Sequence, residues 1–282
     1  MNWRRSSQDI WKRDFVAMVE LKSLDGLAWG VKDGIGRIVL DRPDKANAIT
    51  LAMSRALLLA TDEVLAEGPR VLLITGRGPR FCAGGDLSEV CGSLPRLDDR
   101  IEELIPNLHP AIRRLIEAPL PVITALNGAV GGAGIGLALC GDFVLGAASM
   151  KFRTGYSAIG LTPDVGASYL LARRVGSVRA KQLFMLNDQL DAQRCRELGI
   201  VDQLFPDEQL EAAATALAMR FAAAATGALG RVKALCDGVS ERSLSDHLDA
   251  ERDLLLEVAR GVDALEGIRA FTEKRIPTFI GR

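Results

Sequence analysis

Three things are scarce in this 282-residue chain: histidine, paired cysteine and net charge. The two histidines, His109 and His247, stand alone, with no Cys or His at ligand spacing, so surface or interface positions are expected for both and no metal site. The five cysteines, Cys82, Cys91, Cys140, Cys195 and Cys236, are odd in number and form no C-x-x-C pair, which speaks against a disulfide framework and a zinc site. Unpaired thiols fit a reducing compartment, and a cytoplasmic location is expected. With 35 basic and 36 acidic residues the formal charge is −1, so no overall field draws the chain to nucleic acid or to an anionic membrane. No uninterrupted apolar run reaches the roughly 18 residues of a membrane span. The opening "MNWRRSSQDIWKRDFVAMVE" has no apolar h-region, and its Asp9, Asp14 and Glu20 argue against a transit peptide; residues 1–23 are read as a leader.

Chemical motifs are also missing. There is no G-x-S-x-G nucleophile elbow. The stretch "AVGGAGIGLALCGD", residues 129–142, holds Gly131, Gly132, Gly134 and Gly136, yet fails the G-x-G-x-x-G spacing, and no G-K-[ST] follows for a phosphate loop.

What is present is an ordinary globular composition, 48% hydrophobic and 25% charged. "LAWGVKDGIGRIVLDRP" alternates about an Asp33-Gly34 turn and reads as two strands. "TLAMSRALLLATDEVLAEG" has helical spacing and stops at Gly68. "RVLLITG" and "PVITAL" are short buried strands, with "DDRIEELIPNLHPAIRRLIEA" between them reading as helix around Pro106 and Pro110. Strand and helix alternate, the pattern of a parallel α/β core over residues 24–205. From about residue 206 the chain reads as a separate helical region, 206–282, in which the alanine-rich helix around Arg220 is a close-packed interior element.

Two glycine loops each follow an apolar strand: "VLLITG…FCAGGDL" and "VITALNGAVGGAGIGLAL". Such loops can bring two unobstructed backbone N–H groups onto one developing oxyanion. They serve equally as tight turns and close helix–strand contacts, and composition alone leaves both readings open.

The ordered runs "IGRIVLDRPDKANAIT", "RVLLITGRGPRFCAGGDL", "PVITALNGAVGGAGIGLALCGDFVLGAASMKF", "IGLTPDVGASYLLARRVG" and "EGIRAFTEKRIPTFIGR" resemble the crotonase superfamily, the enoyl-CoA hydratase/isomerase family, over residues 24–282. The resemblance implies a spiral α/β core of β-β-α turns, a C-terminal helical trimerisation region, homotrimers or dimers of trimers, and acyl-CoA thioester substrates with no cofactor beyond the coenzyme A of the substrate. It implies oxyanion-hole N–H groups from Ala83 and Ala133. It also places Lys45, Ala46 and Ala48 along the CoA, with Gly84, Gly85, Asp86, Leu87, Gly132 and Gly136 beside the substrate. Lys45 reads equally as a solvated surface lysine, and Phe279 as packing or as a contact to a neighbour's CoA site.

The resemblance also defines a departure. Hydratases of the family activate water with two glutamates, and this chain has Gly136 and Tyr156 at those places. Neither supplies a carboxylate base, since a phenol has a reference pKa of about 10. One carboxylate stands near, Asp164, as in family members that move a double bond. An isomerase working through Asp164 with Tyr156 beside it is the expectation. Hydration in a rearranged site, thioester hydrolysis or dehalogenation with Asp164 as nucleophile, and a non-catalytic acyl-CoA-binding protein are the alternatives. Asp164 also precedes a helix, where an aspartate caps the N-terminus; base and cap both stay open.

Overall fold

The computed structural model describes residues 21–91 and 96–281; the expected leader falls outside these except at its last residues. Two Asp-Gly pairs turn the chain at once. Strands β1 (Lys22–Leu24), β2 (Leu27–Lys32) and β3 (Ile35–Leu40) form an antiparallel meander, with Asp25, Gly26, Asp33 and Gly34 all at positive φ. Two successive positive φ values match the twist of paired strands, and Asp-Gly adopts them with little strain. The second turn is the expected one; the first escapes sequence reading because β1 is only three exposed residues long.

A single 3-10 turn at Pro43–Lys45 leads to α1 (Leu51–Ala66), capped by Thr50, whose side chain accepts from the Met53 N–H. Gly68, at φ 68°, ends it as expected. The chain then runs through β4 (Val71–Gly76), β5 (Arg80–Cys82), α2 (Leu87–Cys91), α3 (Leu97–Glu117), β6 (Val122–Leu126), β7 (Ala129–Gly131) and α4 (Gly134–Leu139). It continues through β8 (Phe143–Ala147), β9 (Lys151–Arg153), α5 (Ala167–Val175), α6 (Ser177–Leu186), β10 (Leu190–Asp191), α7 (Ala192–Glu197) and β11 (Gln203–Phe205). Three times a long strand is followed by a short one and then a helix. The long strands build a seven-stranded sheet, β1-β2-β3-β4-β6-β8-β11, and the short ones a second sheet, β10-β9-β7-β5. This is the expected α/β fold of β-β-α turns, and the short strands place the glycine loops over the ends of the long ones.

Strand β4 explains its own unbroken apolar run. Leu72 and Ile74 face one core with Ile38, Phe81 and Leu115, while Val71 and Leu73 face a second core with Ile123 and Leu145. A strand buried on both faces has no polar side to show. Helix α3 keeps both Pro106 and Pro110 inside it. Each proline removes a donor, and the helix persists because Leu108, Ala111, Ile112 and Leu115 are buried on the side that packs against α1.

Helices α8 (Asp207–Ala222), α9 (Thr226–Asp237), α10 (Leu244–Ala259) and α11 (Val262–Glu273) complete the chain. The helical content after residue 206 is as expected, but α8 is no separate layer. Its Leu210, Ala214 and Ala218 close the second core against the large sheet, because small alanines let the helix approach. Helix α10 buries none of its residues, and Leu248, Leu255, Leu265, Ile268 and Phe271 on α10 and α11 stand exposed. Arg70 ties the chain end back to the core, donating to the carbonyls of Ala224 (2.6 Å) and Phe279 (3.1 Å). Phe279 lies against Gly267 of its own chain, its ring 3.4 Å from where a Cβ there would stand, so within this chain its role is packing. No single described helix is long and apolar enough to cross a membrane.

Candidate active site

Three backbone segments meet at one end of the large sheet. The first carries Ala46 and Asn47 in left-handed conformation (φ 55° and 52°). The second, after β5, runs beside it: Ala83 N–H donates to Ala46 O (3.0 Å), Ile49 N–H to Gly84 O (2.8 Å) and Asp86 N–H to Ile49 O (2.9 Å). The fully buried Asn47 clamps the join. Its Oδ1 accepts from the Arg42 N–H (2.7 Å), and its amide donates to the carbonyls of Arg77 (3.0 Å) and Arg80 (2.8 Å). Asp86 closes the loop through Arg42 (3.2 Å) and the Ser88 hydroxyl (2.5 Å), and the Ser88 bond holds its carboxyl below the usual range. Sequence reasoning passed over Asn47 and Arg42, since only their distant partners reveal them.

Gly84 (φ 99°) brings in the third segment: a Cβ there would stand 3.0 Å from Gly131 O and 3.2 Å from Ala133 N. Glycine is required at this contact for both its conformation and its lack of a side chain. The structure thus gathers Ala46, Ala48, Gly84, Gly85, Asp86, Gly132 and Ala133, with Lys45 and Leu87 exposed at the edge.

The expected donor pair needs one correction. The Ala83 N–H is committed to Ala46 and cannot also serve an oxyanion. Among the described residues, no backbone carbonyl accepts from the N–H of Gly85 or of Ala133. Space is open beside Gly85, where a Cβ would meet nothing within 4 Å. Two unpaired N–H groups on touching loops, at Gly85 and Ala133, are what the backbone offers an anionic oxygen.

Beside Gly132 stands the next connection. Gly132 N–H donates to Thr154 O (3.1 Å), and Asn187 Oδ1 accepts from the Gly155 N–H (2.6 Å) and the Thr154 hydroxyl (3.1 Å). The following residue, Tyr156, is 7% exposed and packs on the Phe184 ring at a centroid distance of 6.2 Å. Its phenol donates to Asp164 Oδ1 at 2.5 Å. Burial pushes the Asp164 carboxyl above its ordinary 3.8, against the opposing pull of the Tyr156 hydrogen bond. Burial, with the Asp164 charge, pushes the Tyr156 phenol up from 10.0. The phenol therefore stays a donor, and the carboxylate is the group of the pair that can take a proton.

The capping role for the Asp164 side chain does not hold. The N-cap of α5 is Gly166, with no side-chain cap hydrogen bond; only the Asp164 backbone carbonyl serves the turn, accepting from the Ala167 N–H at 2.9 Å. Gly136 also differs from expectation. It is buried inside α4, and a Cβ there would lie 2.0 Å from the Val165 carbonyl oxygen, so it does not border open space. His109 is exposed. It borders a cleft of about 700 Å³ between α3, α5 and α9 that also reaches Val165, Gly166 and Tyr169. His247 lies 3.6 Å from Glu251 on α10. Cys82, Cys140 and Cys195 are buried free thiols, pushed up to about 12 by burial. Asp142 is occupied with the Val122 N–H (2.8 Å) and Lys233 (3.0 Å).

Residues 30–282 match the family model described as enoyl-CoA hydratase/isomerase. The chain is similar, at 38% identity over 257 residues, to the 1,2-epoxyphenylacetyl-CoA isomerase of Escherichia coli (strain K12), an overlap covering 89% of this chain and 97% of that protein. It is 31% identical over 261 residues to the trans-2-decenoyl-[acyl-carrier-protein] isomerase of Streptococcus mutans, covering 91% of this chain and 98% of that protein. Among solved structures, an enoyl-CoA hydratase from Polaromonas sp. JS666 superimposes with a TM-score of 0.84 at 32% identity, covering 90% of this chain and 99% of the other.

Proposed function

This chain belongs to the enoyl-CoA hydratase/isomerase family, and from that premise we propose that it moves a double bond in an acyl-CoA by carrying one proton on Asp164. The observation that carries this reading is the Tyr156–Asp164 pair. One oxygen of the carboxylate is taken by the phenol at 2.5 Å, and the other has no side-chain partner among the described residues. Asp164 removes a proton from C2 of a 3-enoyl thioester. The electron pair of the broken C–H bond spreads over C2 to C4 and the thioester oxygen, which the N–H groups of Gly85 and Ala133 stabilise. Protonated Asp164 then returns the proton to C4, leaving the double bond conjugated with the thioester. No water is added and no second base is needed.

Two of the relatives named above are isomerases, one of them acting on a ring-derived acyl-CoA by its name, and this supports the same reading. Coenzyme A enters only as part of the substrate. Self-association as a trimer or a dimer of trimers belongs to the same proposal, supported by the exposed apolar side chains of α10 and α11. Hydration is the second reading, favoured by the likeness to a structure described as a hydratase. Gly136 and Tyr156 in place of two carboxylates weigh against it.

The test is incubation with short and aryl-substituted 3-enoyl-CoA thioesters in D₂O, followed by mass and ultraviolet absorbance. Conjugated product with no added water is expected, carrying deuterium only to the extent that protonated Asp164 exchanges with solvent before it returns the proton. A product heavier by one water points to hydration, a covalent ester on Asp164 to nucleophilic chemistry, and binding without conversion to a non-catalytic protein.

A further inference from the structure

Val165 is a fully buried β-branched residue held at φ 51°, and Gly166 follows at φ 74°. With the Ala167 N–H donating to Asp164 O at 2.9 Å, the four residues form a tight turn whose two central residues are both left-handed. Gly or Asn ordinarily fills its first central position, because a β-branched side chain is strained there. Something must hold valine in place, and the structure offers two things. Its side chain belongs to the main core, and its carbonyl is pressed onto Gly136, where a Cβ would stand 2.0 Å from the oxygen and 2.9 Å from Val165 Cγ1. Bare glycine at 136 is what lets that carbonyl come down on α4.

We infer that Gly136 and Val165 interlock to position Asp164, and that the same contact excludes a second carboxylate base from α4. This rests on the proton-shuttle reading of Asp164. Val165 and Gly136 are positioning residues: the turn they fix sets where the Asp164 carboxylate stands relative to Tyr156. The volume that a side chain at 136 would need is filled by backbone, so Gly136→Glu displaces the turn instead of adding a water-activating group, and no hydration is gained.

The test is a double-mutant cycle of Gly136→Ala and Val165→Gly, read as kcat and KM for conversion of a 3-enoyl-CoA to its conjugated isomer, with urea unfolding to confirm the fold. Gly136→Ala is expected to lower kcat about 100-fold, as a shift of about 1 Å at a reacting group does, with KM within about threefold. Adding Val165→Gly, which frees the turn to withdraw from the new methyl, recovers at least roughly tenfold. A folded Gly136→Ala variant with the wild-type kcat, or a double variant whose loss is the product of the single losses, overturns the proposal. If Gly136→Ala does not fold, Val165→Gly carries the test, expected to lower kcat and move its acid limb while the urea transition shows a folded protein. A folded Val165→Gly with the wild-type kcat and acid limb overturns the interlock. Isomerisation that survives Asp164→Asn overturns the proton-shuttle reading instead, so the two failures are distinguishable.

Discussion

The phenol oxygen of Tyr156 donates to Oδ1 of Asp164 across 2.5 Å, in a site where burial disfavours the charge on either group. The bond orients one carboxylate oxygen and leaves the other without a side-chain partner among the described residues. Tyr156→Phe removes it without changing the ring. A hydrogen bond to a charged group contributes roughly 1.5–3 kcal/mol, so a loss of about tenfold or more in kcat is expected, with KM little changed. The phenol also pulls the Asp164 pKa down against the larger effect of burial. The acid limb of the rate profile, already above the ordinary 3.8 in the wild type, moves further up in the variant. An acid limb that stays put separates Tyr156 from the base.

Asp164 also gives stability a pH dependence of definite sign. Its folded pKa is raised above the unfolded one, so the fold binds the proton more tightly than the unfolded chain does. That contribution is fully present below the unfolded value near 3.8 and is lost as pH rises through the folded value. Asp164→Asn removes the charge and still offers the Tyr156 phenol an acceptor. Its urea midpoint is expected to exceed the wild type at pH 7–8 and to approach it near pH 4, while double-bond migration is abolished. A midpoint lowered equally at both values contradicts this.

The long strands, the α1 helix with its stop at Gly68 and the two glycine loops are legible in the sequence because each is written in a local pattern. The short strands are not, since three residues carry no period, and they decide where the loops point. Likewise "CAGGD" shows three candidate backbone donors in a row. Which one is free depends on Ala46, brought alongside Ala83 only by the clamp of Asn47. Asp164 reads as a cap because a helix begins nearby, yet the intervening Val165-Gly166 turn makes Gly166 the cap and sends the carboxylate to Tyr156. Gly136 signals an absent glutamate, whereas the reason no side chain fits there lies in a carbonyl from another element.

The clamp itself can be tested. Asn47→Ala leaves the Arg42 N–H and the Arg77 carbonyl without their side-chain partner, and the Arg80 carbonyl with only the longer bond from Asn127 (3.3 Å). Unmet buried groups of this kind cost about 1–3 kcal/mol each, partly recovered by relaxation. A loss of roughly 3 kcal/mol in urea unfolding is expected. Because Asn47 ties the 45–48 segment to β5, a folded preparation should also bind acyl-CoA more weakly by calorimetry. Unchanged stability means that water replaces all three bonds.

The assignment of the donor pair to Gly85 and Ala133, with Ala83 excluded, is separable by proline. Ala133 has φ −57° and directly precedes α4, a backbone geometry that proline adopts. Its N–H meets no described backbone acceptor. Ala133→Pro therefore deletes a donor without breaking a structural hydrogen bond. Loss of one oxyanion donor lowers kcat by about 10²–10³-fold, and that loss is expected here with the unfolding midpoint close to wild type. Ala83→Pro does the opposite in kind. It breaks the 3.0 Å bond to Ala46 that joins the two loops, so the unfolding midpoint falls first and activity follows from misplaced loops. Comparing kcat at matched folded fraction tests the assignment: a catalytic collapse confined to Ala133→Pro supports the Gly85 and Ala133 pair, while a folded Ala133→Pro variant with the wild-type kcat overturns it.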